Sequence, residues 1–399
     1  MDTYDLIVIG GGISGLTLAR RGAAHGWRTL LLEKAPRVGG CLATHRFGGQ
    51  AQGFWVELGA HTCYNSYGAL LELLDDDLKG RIQARHKAPW RVWDGRRLQS
   101  VFARMHWPTL LPALPRLFIT PKAGQGLEAY YSRVMGRRTY EALLRHAFNA
   151  VIAQPADDFP ADLLFRKKAR RQDIPRSYTF EGGLATLAEG LAAGTAFELG
   201  TGVEIQGVAR TDGGFELATG QGALACRRLA LAVPPWEAAR LVEPAYPELA
   251  RSLARIAPAD VESLAVALPR EAVRLPEVAG LIGVDQDFYS AVSRDVVPDA
   301  AHRGFSFHFR PGRLDRAAKL ERVARVLGVA AADIILVGER LNRLPALKSG
   351  HMALVAELDR LLAGQPLALT GNYFYGVSIG DCAERSAVEF KRIAGGDHG

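Results

Sequence analysis

Residues 4–9, Tyr-Asp-Leu-Ile-Val-Ile, run without a break into Gly10-Gly11-Gly12-Ile13-Ser14-Gly15. The β-branched apolar run predicts a parallel strand buried on both faces. The glycines keep the spacing G-x-G-x-x-G, and each has its own task. Gly10 allows a tight turn, Gly12 lets a pyrophosphate reach the backbone, and Gly15 lets the next helix pack against the strand. That helix is predicted from about Ser14, just after Ile13, to His25, and its free N–H groups and positive dipole end suit phosphate. Gly26-Trp27 turns the chain into a second strand over 28–32, closed by Glu33. A carboxylate about twenty residues past the glycines is placed for ribose hydroxyls, and favours a free 2′-hydroxyl over a 2′-phosphate.

After Glu33 the chain does not continue into another helix–strand repeat, as a nicotinamide dehydrogenase would. It enters a basic loop, Lys34-Ala35-Pro36-Arg37-Val38-Gly39-Gly40-Cys41, and later Glu57-Leu58-Gly59-Ala60-His61. These two segments resemble the flavin-containing amine oxidase superfamily, which includes monoamine and polyamine oxidases, phytoene desaturases and protoporphyrinogen oxidases. Its pattern is basic-x-Gly-Gly-Arg, then acidic-x-Gly-x-His. The resemblance implies FAD as cofactor, with Lys34, Arg37, Gly39, Gly40, Cys41, Gly59, Ala60 and His61 along it. One departure stands out: Cys41 replaces the arginine expected after Gly40, which removes a charged donor to the cofactor.

The C-terminal stretch Gly371-Asn372-Tyr373-Phe374-Tyr375-Gly376-Val377-Ser378-Ile379-Gly380-Asp381-Cys382 carries the second resemblance, in protoporphyrinogen-oxidase flavour. It implies Gly371 and Asn372 toward the pyrophosphate side and Gly376, Val377, Ser378 and Ile379 near the isoalloxazine. A helix over 381–393 would aim its N–H groups at the flavin's pyrimidine edge. By the same resemblance 202–205 is the strand meeting the adenine, with Val203 at the contact, and Val233 ends a turn close to the cofactor.

The expected fold is an α/β FAD-binding, Rossmann-like domain of the amine oxidase type, discontinuous in sequence, with a mixed-sheet plus helices substrate domain. The FAD domain takes 1–80, 178–256 and 335–395. The substrate domain takes 81–177 and 257–334, with a helical subregion at 99–175. A helix is predicted over 66–78, and a hairpin over 90–98 around Asp94-Gly95. Strands are predicted at 263–268, 288–292 and 304–309, and a helix at 315–328.

The formal net charge is +7, but the arginines are scattered and no zinc-finger spacing appears, so nucleic acid is not an expected partner. The cluster Arg166, Lys167, Lys168, Arg170 and Arg171 reads as a solvated loop or helix face, with phospholipid or a polyanionic substrate as alternatives. The four cysteines have no metal-ligand spacing, so no metal is expected. Asp2 and Asp5 do not suit a secretory leader. A cytoplasmic protein is expected, with peripheral contact at the inner face of a membrane through 107–119 left open.

The expected chemistry moves a hydride equivalent from an organic, partly apolar small-molecule substrate to flavin N5, in protoporphyrinogen-oxidase-like fashion. Amine oxidases of the superfamily place a lysine over the flavin, yet no lysine occurs from 169 to 318. An amine or amino-acid oxidase is therefore the alternative, followed by a redox-neutral or non-catalytic flavoprotein. The candidate catalytic residues are His61, Tyr375, His308 and Arg310; His351 reads as a helix-start capping residue. The electron acceptor (oxygen, a quinone or another) and the oligomeric state stay open.

Overall fold

A computed structural model describes residues 3–194 and 197–395. Its first sheet is parallel at the centre, with Glu198–Thr201, Thr29–Glu33, Thr3–Ile9 and Gly222–Leu231 side by side. Leu6, Ile7 and Val8 are wholly buried, as a strand covered on both faces requires. The helices Ile13–Ala24 and Ile379–Ala394 pack against each other on one face. Leu367–Leu369 joins the sheet in parallel beside Gly222–Leu231. Two antiparallel strands, Ile205–Thr211 and Gly214–Thr219, extend one side.

The second sheet runs in the order Leu336–Pro345, Pro258–Pro269, His302–Phe309, Phe288–Ser293, Gly280–Gly283, Trp90–Trp93, Leu98–Ser100. All neighbours are antiparallel except Gly280–Gly283 with Trp90–Trp93, so the sheet is mixed, as expected. Large side chains (Leu264, Val266, Phe305, Phe307, Phe309) form one face and bury the helix Arg316–Leu327. Small ones form the other: Ala265 and Ala267 meet Phe54 and Val56. A Cβ on Gly304 would lie 2.5 Å from Val56, so the glycine lets the two layers approach. This contact brings the second sheet down onto the glycine loops of the first unit.

Several expectations are corrected. The stretch 336–345, assigned from sequence to the FAD domain, pairs along its length with Pro258–Pro269 in the second sheet. A three-stranded sheet of Cys63–Tyr64, Ser177–Phe180 and Ile82–Ala84 crosses the expected boundary after residue 80. The helix predicted over 66–78 is two pieces, Gly68–Leu71 and Asp76–Gly80, the second capped by Asp75 accepting from Leu78 N. Gly202 and Val203 are not strand but the link between Glu198–Thr201 and Ile205–Thr211. The basic cluster lies on a mostly exposed loop, one of the two forms expected for it, and there Lys168 pairs with Asp381 and Glu384 at 2.7 Å and Arg166 with Glu384 at 3.3 Å. Among the described residues no helix is long and apolar enough to cross a membrane.

Candidate functional site

The turn after Thr3–Ile9 shows why glycine is needed twice and optional once for the fold. A Cβ on Gly10, whose φ is +105°, would sit 2.5 Å from the Ala232 carbonyl oxygen, and one on Gly15 would sit 1.9 Å from the Gly10 oxygen. At Gly12 a Cβ would meet nothing within 4 Å. Gly12 has ordinary extended backbone (φ −73°, ψ 178°) at the N-cap of Ile13–Ala24. Its bare side is therefore a cradle that a side chain would fill, which is the shape a pyrophosphate needs. Ile13 and Ser14 are buried in the first turn, and Ser386 Oγ donates to the Ser14 carbonyl, tying the C-terminal helix across it at 2.9 Å. Val233 lines the Gly10 side of the turn.

Glu33 accepts from Gly11 N at 2.6 Å and Ala35 N at 2.8 Å, so its carboxylate faces the glycine turn. Val203 N donates to the Glu33 carbonyl at 3.0 Å, which puts Val203 at the same end of the sheet. Lys34 is drawn outward by Glu204 at 2.6 Å. The Gly39–Cys41 loop returns to the turn: Gly39 N donates to the Gly11 carbonyl at 2.7 Å, and Gly12 and Gly39 form a β-bridge. Among the described residues Arg37 donates only to its neighbour's carbonyl, Val38 O at 3.1 Å. Ala60 N donates to the Cys41 carbonyl at 2.9 Å, and a Cβ on Gly59 would lie 2.1 Å from that same oxygen. The two loops are thus welded together, and they deliver His61 under the second sheet.

There His61 Nε2 and His308 Nε2 lie 2.7 Å apart. His308 Nδ1 is 2.8 Å from Ser263 Oγ on the neighbouring strand. Asn342 Nδ2 donates to Ser263 Oγ at 3.0 Å and to the Leu58 carbonyl at 2.8 Å. Arg340 Nε donates to Asn342 Oδ1 at 2.9 Å, and its Nη2 donates to the Gly40 carbonyl at 3.0 Å. Burial pulls His61 well below the usual imidazole range, with His308 and Arg85 adding to the shift, and pulls His308 down to about 4. Beside His61 a small cleft is lined by Trp55, Glu57, Arg85, Thr179 and Arg294. Glu57 accepts from Leu184 N and Thr44 Oγ1, yet burial wins and pushes its carboxyl up to about 7. Arg294 stands over Phe54 and Trp55 at 4.5 and 4.4 Å, and burial pulls it to about 10. Its Nε and Nη1 are buried with no acceptor among the described residues.

Of the predicted catalytic residues, only His61 and His308 come together. Arg310 follows the last paired residue of its strand, donates to the Gln286 carbonyl at 3.0 Å and lies over Tyr289 at 4.4 Å. The Tyr375 hydroxyl accepts from buried Arg385 at 3.3 Å. His351 does not cap its helix; its Nε2 meets the Tyr373 carbonyl at 2.7 Å. The C-terminal helix begins at Ile379, and its start is closed by its own side chains. Ser378 Oγ accepts from Asp381 N at 3.1 Å, and the Asp381 carboxylate accepts the Ser378 hydroxyl at 2.6 Å. That capping box takes up donors expected to face a flavin. Gly371 abuts the buried Tyr373 ring, Asn372 and Val377 are half-buried nearby, and Gly376 (φ +132°) gives the Asp381 carboxylate room. Sequence reasoning missed Ser263, Asn342, Arg340, Glu57, Arg85 and Arg294. The one available signal was the small-large alternation of 263–268, which marks a face approached closely by another layer.

Residues 13–151 match the family described as flavin containing amine oxidoreductase. Over 56 residues it is 50% identical to a nicotine dehydrogenase from Pseudomonas putida (strain DSM 28022 / S16), a match covering 13% of this chain and 12% of that protein. The chain therefore spans about an eighth of that curated relative's length. Solved structures share the fold over nearly the whole chain. A protein provisionally named protoporphyrinogen oxidase from Exiguobacterium sp. 255-15 superposes with a TM-score of 0.79 at 18% identity, covering 98% of this chain and 99% of that one. A reduced UDP-galactopyranose mutase gives 0.75 at 14% identity, covering 99% and 94%.

Proposed function

We propose that this protein is an FAD-dependent oxidoreductase of the amine oxidase type that takes a hydride equivalent from an organic, partly apolar substrate onto flavin N5, in protoporphyrinogen-oxidase-like fashion. The reading is carried by the open side of Gly12, bounded by Glu33 and the 39–41 loop, with His61 delivered by the adjoining loop. Those residues fit FAD: a cradle for pyrophosphate, a carboxylate for ribose, and a helix N-terminus behind them. When bound, FAD supplies the two-electron acceptor chemistry, and the protein orients and tunes.

The chain's own part is to hold one proton arrangement beneath the second sheet. Arg340 has only donors, so the Asn342 oxygen faces it and the Asn342 amide nitrogen donates to Ser263. Ser263 then has its own hydrogen free for His308 Nδ1. A neutral imidazole that accepts at Nδ1 carries its hydrogen on Nε2, so His308 donates to His61 Nε2. His61 in turn keeps its hydrogen on Nδ1. The result is a neutral His61 in one tautomer and one orientation, suited to donating a hydrogen bond to bound substrate or cofactor. Arg85 and Arg294 suit a substrate that brings an acidic group to the cleft.

The test is anaerobic reduction of the FAD-loaded protein, read at the flavin absorbance band. Protoporphyrinogen is expected to bleach the flavin within seconds to minutes, and amines and amino acids are not. Bleaching by amines alone would move the protein to the amine oxidases, and failure to take up FAD would end the reading. Oxygen and quinones are then compared as acceptors by the rate of colour return.

The same reading gives the protein a peripheral contact with an anionic membrane surface through the helical region. Phe118 and Ile119 are 90% and 79% exposed, and Trp107 and Leu111 stand out beside them. Sedimentation with phosphatidylserine vesicles is expected to weaken about tenfold when Phe118 is replaced by serine, given about 1.5–3 kcal/mol for burying such a side chain. Equal sedimentation of both proteins would remove the membrane contact.

A further inference from the structure

Cys41 leaves the glycine loop without the arginine that its pattern calls for. We infer that Arg340, reaching in from the second sheet, supplies the missing cation to the FAD pyrophosphate; the inference rests on the flavin site proposed above.

Arg340 lies on Leu336–Pro345, in register with Ser263. The strand comes close to the loops because Gly338 has no side chain: a Cβ there would lie 2.5 Å from the His45 ring. Two residues on, the Arg340 guanidinium reaches the loop and donates from Nη2 to the Gly40 carbonyl at 3.0 Å. Gly40 itself lies against the cradle, since a Cβ on it would be 3.2 Å from Gly12 Cα. Nε is spent on Asn342, which leaves Nη1 without a hydrogen bond among the described residues.

The electrostatics call for an anion. Among the described residues, neither Arg340 nor Arg37 has a carboxylate within ion-pair distance, although most other arginines do. The two guanidiniums oppose each other, and burial with Arg37 pulls Arg340 below its usual value. A half-buried cation without a counter-charge is costly, and an arriving diphosphate removes that cost. A diphosphate diester brings two negative charges, whereas a helix N-terminus offers about half a positive one. Arg37 and Arg340 bracket the loop and make up the difference. Cys41 is exposed, so the position that lost its arginine has room for one.

The test measures FAD affinity of the apoprotein by flavin fluorescence quenching. Arg340→Gln keeps an N–H donor for Asn342 and removes the charge together with the bond to Gly40. It is expected to weaken FAD binding by about 10- to 100-fold, the range of a charge-assisted bond. Adding Cys41→Arg to that variant is expected to recover most of the loss. Unchanged affinity in R340Q overturns the inference, and so does a loss that C41R fails to recover, which would put the effect in Asn342 and its neighbours. If R340Q does not fold, C41R in the otherwise natural chain decides: little gain is expected where Arg340 already serves, and a gain above tenfold overturns the inference. Wild-type protein that binds no FAD would instead remove the flavin site itself.

Discussion

Gly12→Asp protein is expected to purify folded, to melt like the wild type, and to carry no flavin. The new Cβ meets nothing within 4 Å, and the backbone at Gly12 is one that any L-residue adopts. Aspartate is moreover a good N-cap, so the helix Ile13–Ala24 gains a partner for its free N–H groups. What the substitution fills is the cradle, and it puts a negative charge where a diphosphate must come, so FAD affinity should fall by about a thousandfold or more. Gly15→Ala should do the reverse. Its methyl group would lie 1.9 Å from the Gly10 oxygen, so strand and helix must move apart, at a cost of about 3 kcal/mol. Thermal melts with bound-flavin absorbance separate the two effects. Flavin retained by G12D would show that Gly12 does not face the cofactor, and a wild-type melt for G15A would show that the helix does not need its close approach.

That contrast marks how far one dimension reaches. The turn at Gly10, Gly12 and Gly15 is legible because its constraint is local: two close approaches, at Gly10 and Gly15, flank one open position at Gly12 within six residues. The His61–His308 contact spans 247 positions and depends on strand register. Ser263 stands opposite both His308 and Arg340, and a slip of one residue would put Phe307 or Phe309 where His308 is. Serine and asparagine at 263 and 342 carry no signature of their own; they matter because Leu58, His308 and Arg340 converge on them. The strand 336–345 alternates like any half-buried strand, and alternation does not say which sheet it joins. Tyr375 was readable as an aromatic beside the C-terminal glycines, but the buried guanidinium of Arg385, ten residues on, decides where its hydroxyl turns.

Single replacements of Glu57 and His308 are expected to tilt the pH dependence of stability in opposite directions. His308 is held down to about 4 in the fold against an ordinary 6.5. Its contribution is whole above 6.5 and is lost as pH falls toward 4, at about 1.4 kcal/mol per unit, or about 3 kcal/mol in all. Glu57 is held up at about 7 against an ordinary 4.5. Its contribution is whole below 4.5 and is lost as pH rises through 7, again by about 3 kcal/mol. Between 4.5 and 6.5 the two slopes oppose each other and largely cancel. Glu57→Gln leaves the imidazole slope exposed, so this variant should lose stability on acidification relative to wild type, the more so because His61 titrates in the same direction. His308→Gln keeps both bonds, accepting from Ser263 and donating to His61, and leaves the carboxyl slope opposed by His61 alone, so it should gain on acidification relative to wild type. Urea unfolding at pH 5 and pH 7 reads both. Parallel profiles for the three proteins would mean that water reaches these groups. The neutral imidazole on which the fixed tautomer of His61 depends would then be lost, and His61 would titrate like a surface histidine.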